Sequence, residues 1–199
     1  GHSFGGIIAT LVPEKYPNTK QALLLVSAAI SMQQTFKNIL HLSKQIYEAK
    51  KDTANLKYIA SLENMDTGSM EYASYCFTLA KDNGFYSPKN MTEEARAFRN
   101  NLRKDSLPSQ LTYEAPLGFW KQEHFTTIDL TNNIKDLLSK KIRVYGLYGK
   151  DDGLYSVEQV LSLQKLLGAK NLKYLDNCSH SVFIDQQQEF IHSLKAWLK

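Results

Sequence analysis

Three short segments of the chain carry residue types able to do nucleophilic chemistry. The chain opens Gly1-His2-Ser3-Phe4-Gly5, a G-x-S-x-G pentapeptide. That pattern suits a sharp turn from strand to helix, in which small flanking residues let a serine hydroxyl project into a cleft. A serine hydroxyl is a poor nucleophile at neutral pH. It needs a base, and the base needs an orienting acid. Gly149-Lys150-Asp151-Asp152 offers the acid and Asn177-Cys178-Ser179-His180-Ser181 offers the base. The backbone amide of Phe4, at the start of the following helix, is placed to donate to an oxyanion. Each segment alone is a weak signal, and Asp151-Asp152-Gly153 by itself reads as a turn. The order Ser3, acid, His180 is what makes them one constellation. The remaining histidines, His41, His124 and His192, read as structural or solvent-facing, and His2 reads as a packing residue inside the elbow.

The elements that must position these groups alternate. A helix is expected from about Phe4 to Tyr16, with Pro13 near its end as a potential kink. Gln21 to Ser27 is a continuous apolar run, which suits a strand covered on both faces of a parallel sheet. Ile142 to Tyr148 reads as a second strand and Leu172 to Leu175 as a third. Between these two, Ser156 and Gln159 form a capping-box pattern and Gly168 suits the helix end. Asp185 is expected to open a last helix with Phe190, Ile191, Leu194, Trp197 and Leu198 on one apolar face. Acid and histidine then sit on loops after strands, at the carboxyl edge of a parallel sheet.

From about residue 28 to 125 the pattern is helical and loop-rich, without a convincing strand. Phe36, Ile39, Leu40 and Ile46 have helical spacing, as do Leu56, Ile59, Ala60 and Glu63. Met70 to Leu79 predicts a third helix closed by Asn83-Gly84. Ser87-Pro88 marks a turn, and Thr92 can cap a fourth helix with Glu93 and Glu94 in its first turn. The domain reading is therefore an α/β core from residues 1–27 and 126–199, with a helical cap at 28–125.

Composition narrows the function classes. With 43% apolar residues, the 199-residue chain can build a core. Its 24 basic and 20 acidic residues are interspersed, which argues against a dedicated nucleic-acid surface. No apolar run approaches the ~18 residues of a membrane span. Cys76 and Cys178 show no metal-ligand spacing, and a disulfide between them requires the fold to bring them together.

Taken together, Gly1-His2-Ser3-Phe4-Gly5-Gly6, Tyr148-Gly149-Lys150-Asp151-Asp152 and Cys178-Ser179-His180-Ser181-Val182-Phe183 resemble the α/β-hydrolase superfamily. The first resembles that superfamily's nucleophile elbow, the second its G-x-x-D acid loop and the third its histidine loop. The resemblance implies Ser3 as nucleophile, Asp152 rather than Asp151 as acid, His180 as base and Phe4 as oxyanion donor. It implies no metal and no organic cofactor. The fold class expected is α/β: the C-terminal part of an α/β-hydrolase, about three parallel strands with flanking helices and an α-helical cap. The cap placement is most similar to proline iminopeptidases, which implies release of an N-terminal residue from a small-molecule or peptide substrate through an acyl-enzyme. Acidic cap residues would then hold the substrate's amino group, and Glu48, Glu63, Asp66, Glu71, Glu93, Glu94, Glu114 and Glu123 are all available. The aromatics Tyr72, Tyr75, Phe77, Tyr113, Phe119 and Trp120 suit an apolar acyl or prolyl group, although most are expected in the cap's own core.

The chain departs from the superfamily pattern in opening at the elbow. The strands before it and the loop carrying a second oxyanion donor are not in the sequence. The expectation is a poorly active polypeptide with an apolar sheet edge open to self-association. Two alternatives stay open: an esterase, thioesterase or acyltransferase of the same fold, and a non-catalytic fragment. An aspartate nucleophile is disfavoured, since Ser3 holds the elbow.

Overall fold

The computed structural model describes residues 1–16, 22–102, 104 and 114–198. Helix α1 (Phe4–Lys15) follows Ser3 directly, with Pro13 inside its last turn. Strand β1 (Leu23–Val26) comes next. The expected start of this strand at Gln21 lies outside the described residues. Strands β2 (Val144–Gly149) and β3 (Leu172–Leu175) complete a parallel sheet of order β1-β2-β3. Leu23 is in register with Val144, and Gly146 with Leu172. β2 starts at Val144 rather than at the expected Ile142.

The continuous apolar run in β1 has the predicted cause. Leu23 and Leu25 pack into the main core with Ile7, Phe36, Ile134 and Leu163. Leu24 and Val26 face a second cluster with Leu147, Cys178 and Val182. α1, α7 (Thr131–Ser139) and α8 (Val157–Leu167) thus cover one face, and α9 (Val182–Asp185) and α10 (Gln187–Trp197) the other. The outer side of β1 is paired at its end by the residues of the elbow. Val26 N donates to Gly1 O at 2.9 Å and Ser3 N to Val26 O at 3.0 Å.

Between β1 and β2 run α2 (Met32–Ala49), α3 (Thr53–Leu62), α4 (Met70–Asp82), α5 (Glu93–Leu102) and α6 (Glu114–Glu123). The buried line of α2 is Met32, Thr35, Phe36, Ile39, Ser43 and Tyr47, while Leu40 and Ile46 sit at its margin. The punctuation worked as predicted. Gly84, with φ of 72°, follows α4, and Phe85 N closes back on Ala80 O at 2.9 Å. Thr92 Oγ1 accepts from Ala95 N at 3.1 Å. Ser156 and Gln159 form the reciprocal capping box of α8.

Three expectations need correction. α6, whose apolar periodicity is weak, and α7, which carries Ile134, Leu137 and Leu138 at helical spacing, were not foreseen. The last helix does not open at Asp185: a short α9 ends there, Gln186 breaks the backbone with φ of −136°, and α10 begins at Gln187. On α10 the expected apolar face is only partly used. Ile191 and Leu198 are exposed, Phe190 and Trp197 are half-buried against the second cluster, and Ser193 is the buried residue. Among the described residues no helix is long and apolar enough to cross a membrane. Cys76 and Cys178 are both free and buried, and burial pushes the Cys76 thiol up to about 12.

Candidate active site

The elbow is a strained turn. Ser3 has φ of 52° and ψ of −126°, a conformation that non-glycine residues rarely hold. Two glycines make room for it. A Cβ on Gly1 would lie 2.2 Å from Gly5 O, and one on Gly6 would lie 2.2 Å from the Ala28 Cβ. Gly5, the last residue of the motif, would meet nothing within 4 Å. So of the two glycines that follow Phe4, it is Gly6, outside the five-residue pattern, that is sterically required, because α1 crosses β1's exit at that point. Gly6→Ala is expected to cost about 1–3 kcal/mol through overpacking, while Gly5→Ala leaves stability unchanged or raised. Thermal melts of the two variants check this: equal losses in both would overturn it.

The expected acid and base, Asp152 and His180, lie together. His180 Nδ1 lies 2.9 Å from Asp152 Oδ2, and both residues are buried. A carboxylate can only accept, so Nδ1 carries the proton, and in the neutral ring Nε2 is the nitrogen with the lone pair. Leu154 N donates to the other oxygen, Asp152 Oδ1, at 3.1 Å. Asp151 points elsewhere and accepts from Lys89 N at 3.1 Å. The acid loop is tied to the strand and loop beyond it, Lys150 N to Leu175 O and Asp151 N to Cys178 O, each at 2.8 Å. Gly149 permits this approach, since a Cβ there would lie 2.2 Å from Cys178 O.

His2 does more than pack. Its Nε2 donates to the His180 carbonyl at 2.9 Å, and its ring lies 4.9 Å from that of His180. Burial lowers the His2 imidazole below its ordinary range, against the opposing effect of that hydrogen bond. This contact brings the elbow to the histidine loop. Among the described residues no hydrogen bond joins Ser3 Oγ to His180 or gives the Phe4 N–H an acceptor. His41 and His192 are exposed, away from the constellation. His124 is left-handed with φ of 45° at the end of α6.

Ser3 opens onto a cavity of about 680 Å³. Phe4, Ile7, Met32, Met70, Phe77, Phe125 and Leu154 line it, with Tyr86 and Tyr155 beside His180. Burial, then the Asp152 charge, pushes the Tyr86 phenol up to about 12, so it stays protonated. Lys81 is the one charged side chain among the described lining residues, and none of the eight acids named above is there. Of the expected aromatics, Phe77 lines the cavity. Tyr72 is buried against Phe36, Tyr75 donates to Glu71, and Phe119 packs on Phe4. Trp120 Nε1 donates to Gly68 O and Thr126 Oγ1. Tyr113 lies outside the described residues. A second cavity of about 440 Å³, beside α7 and α8, holds none of Ser3, Asp152 and His180.

Residues 1–187 match the family model described as serine aminopeptidase, S33. The chain belongs to that family. Solved structures of α/β-hydrolases share its fold. A proline iminopeptidase-related protein from Thermus thermophilus superposes with a TM-score of 0.56 at 15% identity, over 98% of this chain and 62% of its own. An α/β-fold hydrolase from Bacillus anthracis str. Sterne gives 0.56 at 17% identity, over 98% and 65%. A structure from the carboxylesterase study of Nitrososphaera gargenis gives 0.56 at 16%, over 100% and 62%. The S33 chain thus spans less than two thirds of the length of these structures. No curated protein matches the sequence.

Proposed function

We propose that this S33-family chain carries the serine, acid and histidine of an acyl hydrolase. The observation that carries the reading is the His180–Asp152 contact, which leaves Nε2 as the free base on the histidine loop beside the elbow. Ser3 Oγ attacks the carbonyl carbon of a bound acyl group while His180 Nε2 takes its proton. Asp152 stabilises the imidazolium that forms. Phe4 N–H donates to the oxyanion. His180 returns the proton to the leaving group, and the acyl group stays on Ser3. Water then attacks that ester with His180 again as base, releasing the acid and restoring the hydroxyl. The Ser3 to His180 contact tightens as substrate binds. The segment 28–125 acts as a cap over the cavity.

Two substrate classes fit the family and the names of its fold neighbours: an N-terminal aminoacyl group and a simple acyl ester. The cavity favours the ester. An α-ammonium placed against methionine, phenylalanine and leucine, with no carboxylate among the described lining residues, carries an unpaired desolvation cost. Hexanoyl and norleucyl p-nitrophenyl esters differ only in that amine. The hexanoyl ester is expected to show a kcat/KM at least about tenfold higher. Preference for the norleucyl ester restores the aminopeptidase reading. No turnover of either above the Ser3→Ala background sinks the hydrolase reading.

A further inference from the structure

We propose that Arg99 and Asp185 are a positioning pair through which the helices between β1 and β2 hold the histidine loop. The proposal rests on the reading of His180 as the base. Arg99 on α5 reaches Asp185 at the end of α9, Nη2 to Oδ1 at 2.6 Å, and the Asp185 side chain is fully buried. The other oxygen, Oδ2, accepts from Ser179 N at 2.9 Å. Ser179 is the residue before His180. Its hydroxyl donates to Phe85 O at 3.1 Å and lies 3.4 Å from Asp151 O. One carboxylate therefore ties together a helix of the inserted segment and the peptide that carries the base.

The pair is poorly explained as a stability device. Burying two charges costs about what their attraction returns, and an apolar pair of similar volume does as well. Arg99 Nε is also buried without a partner among the described residues, so the guanidinium is not even fully satisfied. What the pair does achieve is placement. Arg99 is the cation that faces the buried Asp185 carboxylate. Without it the carboxylate is left in a buried site with no cation beside it and swings toward water, and the Ser179 N–H loses a strong acceptor. The peptide before His180 then loses its tie to the carboxylate, the remaining contacts of the loop, His2 to the His180 carbonyl, the Ser179 hydroxyl to Phe85 O and Asp151 N to Cys178 O, hold it less tightly, and the 2.9 Å contact to Asp152 loosens.

The test compares Arg99→Met, which keeps the stem, with Arg99→Lys, which keeps the charge. The downfield imidazole Nδ1 proton of the His180–Asp152 pair, read by NMR on the whole chain and assigned by its loss in Asp152→Asn, reports placement without any turnover. It should broaden or disappear in Arg99→Met and persist in Arg99→Lys. Ester turnover should fall in kcat by on the order of 10²-fold in Arg99→Met, with KM little changed, since a misplacement of about 1 Å has that effect. Arg99→Lys should restore most of it. An unaltered Nδ1 resonance in a folded Arg99→Met overturns the proposal, whatever the turnover. Absence of turnover in the wild type, with the resonance behaving as expected, counts against the hydrolase reading alone.

Discussion

Ser3→Ala should abolish covalent labelling by a fluorophosphonate and reduce ester turnover by as much as about 10⁶-fold, the scale on which a serine nucleophile acts together with its base. Folding should be nearly untouched. Ser3 Oγ makes no hydrogen bond to His180 among the described residues, and the turn is held by backbone contacts, Ser3 N to Val26 O and Gly6 N to Ser3 O. Alanine bears the same backbone strain at φ of 52° as serine does. A thermal melt within a few degrees of wild type, with the adduct gone from the intact mass, is the expected pair of observations. An adduct of unchanged yield on Ser3→Ala would place the reactive nucleophile elsewhere and end the elbow reading.

Asp152→Asn is expected to lower kcat by about 10⁴-fold, and the reason is a tautomer rather than a lost shape. Leu154 N donates to Asp152 Oδ1. In the variant that N–H holds the amide oxygen on the same side and turns the NH₂ toward His180. His180 Nδ1 must then accept, so its proton moves to Nε2, the atom that should receive the proton of Ser3. The neighbouring Asp151→Asn supplies the control. Its side chain only accepts from Lys89 N, and an amide oxygen still can, so its turnover should stay within about threefold of wild type. Steady-state kinetics on the two variants decide between the adjacent carboxylates. A larger loss in Asp151→Asn would assign the acid to the wrong residue.

Much of this candidate site is written locally in the sequence. Ser3, Asp152 and His180 lie in short segments whose local patterns, an elbow, a strand-end acid and a strand-end histidine, are written within a few residues each. The choice of Asp152 over its neighbour followed the register of a resemblance, and the 2.9 Å contact to His180 agrees with it. The turn and cap residues were equally local. Gly84 closes α4, Ser156 caps α8 and Gly168 ends it, because a left-handed or capping conformation is a demand on one residue.

Other features had little or no local signal. α7 spans only nine residues, and although Ile134, Leu137 and Leu138 have helical spacing, two turns are a short window in which to read a period. Asp185 looked like a helix start, since an acid before an apolar run commonly is one. Its place is at the end of α9 because its carboxylate is claimed by Ser179 N and by an arginine 86 positions earlier. The amphipathic pattern of α10 predicted burial for Ile191 and Leu198, but burial depends on what packs against the face.

The sequence by itself determined the three chemical segments, their order, the buried parallel strands and the helical nature of the segment between them. Those depend on backbone dihedrals, caps and apolar runs, which act over a turn or a strand. The tertiary structure alone decided that His2 holds the His180 carbonyl across 178 positions, that Gly6 rather than Gly5 is the crowded glycine, and that no described acid faces the cavity beside Ser3. Contacts between residues far apart in the chain are set by how whole faces pack, and no short stretch of sequence contains that information.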